Sequence, residues 1–335
     1  MPKVNQMSKN TVFVLHKNGA PNHYEALEFY LKKQGRVLKH REFSVVGSLF
    51  KSMLKLNGSL FVKQLVNIGF LVSLIFTKRK TLVLGIAPYD KKLLRLLAIL
   101  KNHHVSYHSS WTCWDGSFQP KNTTSTKVLA SWRYFLENKA AHIFAVSTVA
   151  KDQLLANYKL SKDQVSVVYH TLRPEFLETN QIERTQDCIY IGRLVPQKGI
   201  GPLLDFFSNH QRYSLTIIGD GKLQAQVEAA AQTHENIQYL GKITNASKLK
   251  ELLQKHRYLV LNSLKTPKWE ELFGIVIIES MSQGVIPIST AHSGPRSIIT
   301  DDTGFLFKEG DLHKQLTTVL SGSYTVETSK KALAA

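Results

Sequence analysis

Cysteine is nearly absent from this chain. Only Cys113 and Cys188 occur in 335 residues, far apart and without a partner motif. Their scarcity argues against a disulfide framework and a cysteine-built zinc site, and fits a reducing cytosol. Long hydrophobic runs are also missing. The first, residues 11–15, is too short for the apolar core of a secretory signal and reads as a first strand. The longest, residues 65–76, contains Asn67 and Ser73 and is bracketed by Lys63 and Lys78. A spanning helix needs ~20 apolar residues, so this run is expected to be too short to cross a bilayer.

Acidic residues are scarce in one half only. Residues 1–170 hold 25 Lys/Arg and 8 Asp/Glu, a balance of +17, whereas residues 171–335 hold 18 and 17, a balance of +1. The densest cationic part includes Lys51, Lys55, Lys63, Lys78, Arg79, Lys80, Lys91, Lys92, Arg95 and Lys101, with Leu, Phe and Ile between them. Such a stretch reads as a surface that docks on anionic lipid, or as a solvated basic face over an ordinary core helix. Nucleic acid is not expected as a partner, because no nucleic-acid module motif or aromatic stacking platform is present.

What is present is a long β–α alternation. Strands are predicted at residues 11–15, 81–85, 105–107, 142–146 and 165–169. Helices are predicted at 24–33, 91–100, 128–140 and 149–158, the last capped by Ser147 and Thr148. An irregular stretch follows at 171–185, and the pattern restarts with strands at 188–191, 215–218, 237–240 and 258–261. The chain therefore reads as α/β, with two doubly wound, Rossmann-like domains of parallel sheet. Ligands in such folds bind beyond the carboxyl ends of the strands, so a cleft between two facing domains is the expected site.

The chemistry concentrates in EELFGIVIIESMSQGVIPI, residues 270–288. Glu271 falls in a loop before an apolar helix that starts near Ile275 and stops at Gly284. Glu279 lies about two turns in, at ~3.6 residues per turn. Backbone N–H groups at the helix start, from Gly274 to Val276, suit an anion, and a neighbouring loop carboxylate can accept from hydroxyls. The pair suits a ligand with a sugar, a diphosphate and a ribose. Upstream, a strand ends at Gly192, followed by Arg193 and Lys198-Gly199, a glycine and two cations suited to phosphate. Gly219-Asp220-Gly221 closes the next strand and Leu240-Gly241 the one after.

In this order, these blocks resemble the C-terminal domain of retaining GT-B glycosyltransferases of glycosyltransferase family 4, over residues 187–310. The shared pattern is Gly192-Arg193 with Lys198-Gly199, Gly219-Asp220-Gly221, Leu240-Gly241, and Glu271-Leu272-Phe273-Gly274 with Glu279. The stretch from Ser293 to Phe307 follows in the family's manner. The resemblance implies a GT-B fold with two Rossmann-like domains facing across a cleft. It implies an acceptor-side domain at 1–172, a donor-binding domain at 173–320 and a tail at 321–335. Arg193 and Lys198 would hold a nucleotide diphosphate. Glu271 would contact the donor sugar, and Phe273, Gly274 and Ile275 would offer amides to sugar and phosphate. Glu279 would take the ribose hydroxyls, and the backbone of Lys242 and Ile243 would meet the base.

The N-terminal half resembles the family less. Gly19 matches its glycine loop, although the sequence there is Gly19-Ala20-Pro21. His108 stands where the family often places an active-site histidine, with Trp111, Trp114 and Asp115 nearby as acceptor-side candidates. The competing reading makes His108 a strand cap and the tryptophans core. His103 and His104 are expected at the surface. His170-Thr171 replaces an Asn-Gly turn, and Ser297 replaces the glutamate of a Gly-x-x-Glu.

The expectation is a glycosyltransferase moving a sugar, with retention, from a nucleotide-diphosphate donor to a glycan or lipid-linked acceptor. Neither cofactor nor metal is expected, since no metal-ligand spacing appears. The enzyme would be cytoplasmic and peripheral at the inner face of the membrane, building a bacterial cell-surface polysaccharide. The altered glycine loop and Ser297 also admit a GT-B-like binding subunit without turnover.

Overall fold

The computed structural model describes residues 10–334 except 18, 20–22, 55, 117–120, 122, 180–182, 268 and 323–325. The chain divides into two compact units, Met1–Thr171 and Leu172–Ala335.

The first unit carries strands β1 (Thr11–His16), β2 (Val37–Glu42), β3 (Thr81–Gly85), β4 (His104–Ser109), β5 (Ala140–Ala145) and β6 (Val165–Val167). Its described helices are α1 (Glu25–Lys33), α2 (Val45–Leu54), α3 (Gly58–Phe76), α4 (Leu93–Leu100), α5 (Thr126–Tyr134) and α6 (Thr148–Asn157). The strands are all parallel, in the order β2-β1-β3-β4-β5-β6. The order reverses between β1 and β3, so the ends of these strands form the crevice where such sheets bind ligands. Ser147 caps α6 by accepting from the Ala150 N–H at 3.2 Å.

The second unit carries β7 (Gln186–Ile191), β8 (Leu215–Ile218), β9 (Ile237–Tyr239), β10 (His256–Leu261), β11 (Ile286–Thr290) and β12 (Phe305–Phe307). Its helices are α7 (Ile200–Asn209), α8 (Gln224–Thr233), α9 (Ala246–Gln254), α10 (Ile275–Met281), α11 (Ser293–Arg296), α12 (Leu312–Ser321) and α13 (Val326–Ala334). The parallel order β9-β8-β7-β10-β11-β12 is doubly wound, with its switch point between β7 and β10. Helices cover central strands such as β8 on both faces. All four of its residues are buried and the strand reads as an unbroken apolar run. Phe206 and Phe207 of α7 are wholly buried in this core.

Three expectations change. The apolar run at 65–76 is only part of α3, a 19-residue helix long and apolar enough to cross a membrane by length and composition. The sequence hides this because Lys63, Gln64 and Asn67 break the run without breaking the helix. His103 is not a surface residue: it is buried, accepts from the Lys80 N–H at 3.2 Å, and its Nε2 lies 2.9 Å from the Leu74 carbonyl. Residues beyond 320 are not only a tail, since Ala332 of α13 is buried in the second core and the Ser329 hydroxyl donates to the Gly284 carbonyl at 2.5 Å.

Candidate active site

The switch point of the second unit is stitched together by glycines. The loops after β7 and β8 pack backbone to backbone. A Cβ on Gly219 would lie 1.8 Å from the Gly192 carbonyl oxygen, and one on Gly221 would lie 2.4 Å from that of Leu194. Across the switch point, a Cβ on Gly199 would lie 2.1 Å from the Asn262 carbonyl oxygen, so the loops after β7 and β10 also touch. Gly199 sits at φ 62 and turns the chain from Lys198 into α7. Its carbonyl accepts from Asn262 Nδ2 at 3.1 Å, and the Leu264 N–H donates to Gln197 at 2.8 Å.

This framework brings Lys198 and Glu271 into direct contact. The Lys198 ammonium donates to Glu271 Oε2, and Ser263 donates to the same oxygen at 3.2 Å. Both charged side chains are largely buried. The ammonium also lies 4.9 Å from the centre of the Trp269 ring. Glu271 is fixed through its backbone as well. Its N–H donates to His292 Nδ1 at 3.1 Å, its carbonyl accepts from Gly294 at 3.0 Å, and His292 Nε2 lies 2.8 Å from Glu309. His292 carried no sequence signal, because it belongs to no motif and works through the main chain.

The other donor-side candidates are placed as follows. Gly192 leaves β7, and the space its Cβ would need is filled by the Tyr190 hydroxyl at 2.8 Å. Arg193 follows it with an exposed side chain. Lys242 is exposed and pairs with Asp220 at 2.9 Å, while Ile243 packs partly buried on the core. Phe273 is buried, Gly274 takes φ 84, and Ile275 opens α10. A Cβ on Gly294 would clash with the Phe273 nitrogen at 2.3 Å, which explains the glycine of the Ser-Gly-Pro turn. Glu279 is buried on α10, and its partner is Arg173, at 2.8 Å. Arg173 falls in the irregular stretch at 171–185, where no motif marks it. Ser297 closes locally on the Gly294 carbonyl at 2.7 Å.

In the first unit, Gly19 lies at φ 81, with its Cβ position 3.3 Å from Glu42 Oε1; Ala20 and Pro21 fall outside the described residues. His108 belongs to a cluster of imidazoles at the ends of β1 and β4. Its ring is 5.1 Å from Tyr24 and 6.1 Å from His170, which is 5.0 Å from His23. Burial, then the neighbouring imidazoles of His170, His23 and His16, lower the His108 pKa to about 3. His16 and His170 are lowered to about 4, chiefly by burial and next by His23. These rings are therefore neutral near pH 7. Among the described residues no group of three or more His, Cys, Asp or Glu has metal-holding geometry.

Trp111 and Trp114 do not present the open faces expected of acceptor-side residues. Both are buried, and their indole N–H groups donate to the carbonyls of Cys113 (2.6 Å) and Trp111 (3.0 Å). Trp114 packs with Tyr107, Tyr89 and Tyr158 in an aromatic core, since large rings gain most by leaving water. Asp115 is exposed, on the rim of a cavity of about 390 Å³ that also meets Arg133 and Tyr158.

Parts of the chain are similar to known proteins. Residues 173–332 match the family model for Glycosyl transferases group 1. An uncharacterized glycosyltransferase of Methanocaldococcus jannaschii is 28% identical over 182 residues, covering 53% of this chain and 48% of that protein. The gpi3 subunit of phosphatidylinositol N-acetylglucosaminyltransferase of Schizosaccharomyces pombe is 25% identical over 199 residues, covering 56% and 42%. The chain thus spans about half the length of these curated relatives or less. Among solved structures, HepE of Anabaena in complex with UDP superposes with a TM-score of 0.65 at 13% identity, covering 97% of this chain and 94% of that one. The fold is that of two Rossmann-like α/β domains of the GT-B kind, and the stretch of the second unit from 173 to 332 is similar to the glycosyl transferases of group 1.

Proposed function

We propose that the chain is a retaining glycosyltransferase that takes a sugar from a nucleotide-diphosphate donor and delivers it to a glycan carried on a lipid. The observation that carries this reading is the Lys198–Glu271 pair at the switch point of a group 1 domain. As the diphosphate leaves, negative charge grows on its oxygens and positive charge on the anomeric carbon. Lys198, Arg193 and the amides of Phe273, Gly274 and Ile275 would stabilise the first. Glu271 would hold the donor sugar's hydroxyls and stabilise the second. Held in a largely buried pair, its carboxylate is oriented before the donor arrives, which lowers the reorganisation cost. Glu279 would take the ribose and the backbone at Lys242 and Ile243 the base. His108, neutral and buried in the first unit, would offer a sugar a hydrogen bond without carrying charge.

UDP-sugars are the first donors to try, since the HepE structure contains UDP. A lipid acceptor is favoured by the relative whose name specifies phosphatidylinositol, and by the cationic, apolar surface of the first unit. The enzyme would work from the cytoplasmic side, peripheral to the membrane, in building a cell-surface polysaccharide. A thermal-shift screen with UDP-, GDP- and ADP-sugars, followed by transfer assays with Glu271→Ala as control, tests the reading. Stabilisation by one nucleotide class and loss of transfer in the variant are expected. No stabilisation by any of them, or full turnover in the variant, overturns it.

A further inference from the structure

Helix α3 is amphipathic in the reverse sense. Its buried face carries Gln64 and Asn67 beside Phe70 and Leu74. Gln64 Nε2 donates to Glu42 Oε2 at 2.9 Å, Asn67 Oδ1 accepts from the Glu42 N–H at 3.1 Å, and Lys63 pairs with Glu42 Oε1 at 2.7 Å. Its outward face is apolar: Val62, Leu65, Val66, Val72 and Phe76 are exposed, and at ~3.6 residues per turn all of them fall on one side of the helix. Helix α2, packed against α3, adds exposed Phe50, Met53 and Leu54, and Leu56 in the connecting turn is 93% exposed. In water such a face is unfavourable, and contiguous exposed apolar surface of this kind marks an interaction site.

We propose that the outer face of α2 and α3 is a monotopic docking surface for anionic lipid, lying in the headgroup region with the apolar side chains inserted. Charge selects this occupant. From Phe43 to Tyr89 the sequence has no Asp or Glu and carries Lys51, Lys55, Lys63, Lys78, Arg79 and Lys80. Lys78 and Arg79 are exposed directly after the C-terminus of α3, with Lys91 and Arg95 exposed further on. Anionic headgroups attract such a rim while acyl chains take the apolar stripe. A second copy of this chain is disfavoured, because a two-fold contact would set one cationic, anion-free surface against another. Although α3 is long enough to span, its three polar side chains keyed to Glu42 hold it against the sheet. It therefore lies along the surface and does not cross.

The surface stands independently of the transferase reading. Flotation of the full chain with phosphatidylcholine vesicles, with and without phosphatidylglycerol, tests it. Binding is expected only with the anionic vesicles and should weaken as salt rises. Phe50→Glu with Val66→Glu, both at exposed positions, should lower the partition coefficient at least tenfold. Lys78→Glu with Lys91→Glu should lower it at low salt alone. Far-UV circular dichroism and any nucleotide-sugar thermal shift should stay unchanged in both, which separates loss of docking from loss of fold or of donor binding. The proposal is overturned if the wild type remains soluble beside anionic vesicles at low salt. It is equally overturned if Phe50→Glu/Val66→Glu floats as well as the wild type, or if the wild type is a dimer that this variant turns to monomers.

Discussion

Arg173 donates from Nε to Glu279 Oε1 at 2.8 Å, so the carboxylate proposed to take a ribose is held by a cation from the first residues of the second unit. The guanidinium also lies 4.9 Å from the Phe176 ring, and the Phe176 carbonyl accepts from Gln283 at 3.0 Å, which locks the whole segment onto the end of α10. Replacing Arg173 with Met keeps the stem but removes the charge beside a buried acid. Losing one partner of a fully buried pair costs about 3–5 kcal/mol, and the partial exposure of Arg173 places this case near 2 kcal/mol. Denaturant unfolding should show that loss. Nucleotide titration should show about tenfold weaker binding, ~1.4 kcal/mol, with kcat nearly unchanged and most of the affinity restored by Arg173→Lys. Unaltered nucleotide affinity in Arg173→Met would remove Arg173 from the positioning of Glu279.

Lys198 and Glu271 share one contact but are assigned different tasks. Glu271→Gln keeps the shape and removes the charge. Transfer should fall about 100-fold or more, while nucleotide affinity changes little. Lys198→Ala should weaken nucleotide-diphosphate binding instead, and should destabilise the fold by leaving a largely buried acid without its ammonium. In the double variant the two stability losses should sum to clearly more than the measured total, as for residues in direct contact. Strictly additive losses would mean that the pair does not interact in solution.

The glycines after β8 are steric requirements that a substitution can read out. Gly219 and Gly221 sit at φ 154 and 153, and a methyl group at either would strike backbone oxygen. Neither Gly192 nor Leu194 can yield without moving β7. Ala at 219 should therefore cost more than about 3 kcal/mol or abolish soluble expression. Gly241 is the contrast: it takes φ 66 with nothing within 4 Å, so Ala there pays only the left-handed backbone term of about 1–2 kcal/mol. Equal melting temperatures for Gly219→Ala and Gly241→Ala would contradict the packing described here.

Sequence reading succeeds where side-chain period and local punctuation carry the information. In the second unit β7 and β8 are short buried runs closed by Gly192 and Gly219, and β10 is a buried run closed by Asn262 and Ser263, so all three are legible, as is Glu271 in a loop before an apolar helix. It fails where a residue acts through a distant main chain or where polarity runs against position. His292 meets the Glu271 amide from 21 residues away, and Arg173 reaches Glu279 across 106. Neither spacing is periodic. Helices α2 and α3 escaped definition because an outward apolar face and an inward Gln64–Asn67 face invert the pattern that marks a surface helix. Trp111 and Trp114 misled for another reason: aromatic rings near an exposed aspartate suit a sugar site and an aromatic core equally, and only burial separates the two.

The imidazole cluster sets the acid limit of the first unit. His108 titrates at about 3 and His16 and His170 at about 4, below the ordinary 6.5, and burial also lowers His23. The unfolded chain therefore binds more protons than the folded one between about pH 6.5 and 4. Stability is fully present above 6.5 and is lost as pH falls toward the folded values. A single such group costs about 2 kcal/mol at pH 5 relative to pH 8. Burial alone would raise the pKa of Glu42, but hydrogen bonds from Gln64 and Lys63 and the nearby Lys63 charge outweigh it and leave the pKa lowered. Urea unfolding at pH 8, 6.5 and 5 should show a steady fall in stability, and the fall should be shallower in His108→Asn. Over the same range above pH 5.5, transfer should show no inflection from His108, because a ring that stays neutral has no proton to lose. Equal unfolding free energies at pH 8 and pH 5 would mean that these histidines are solvated and not clustered as described.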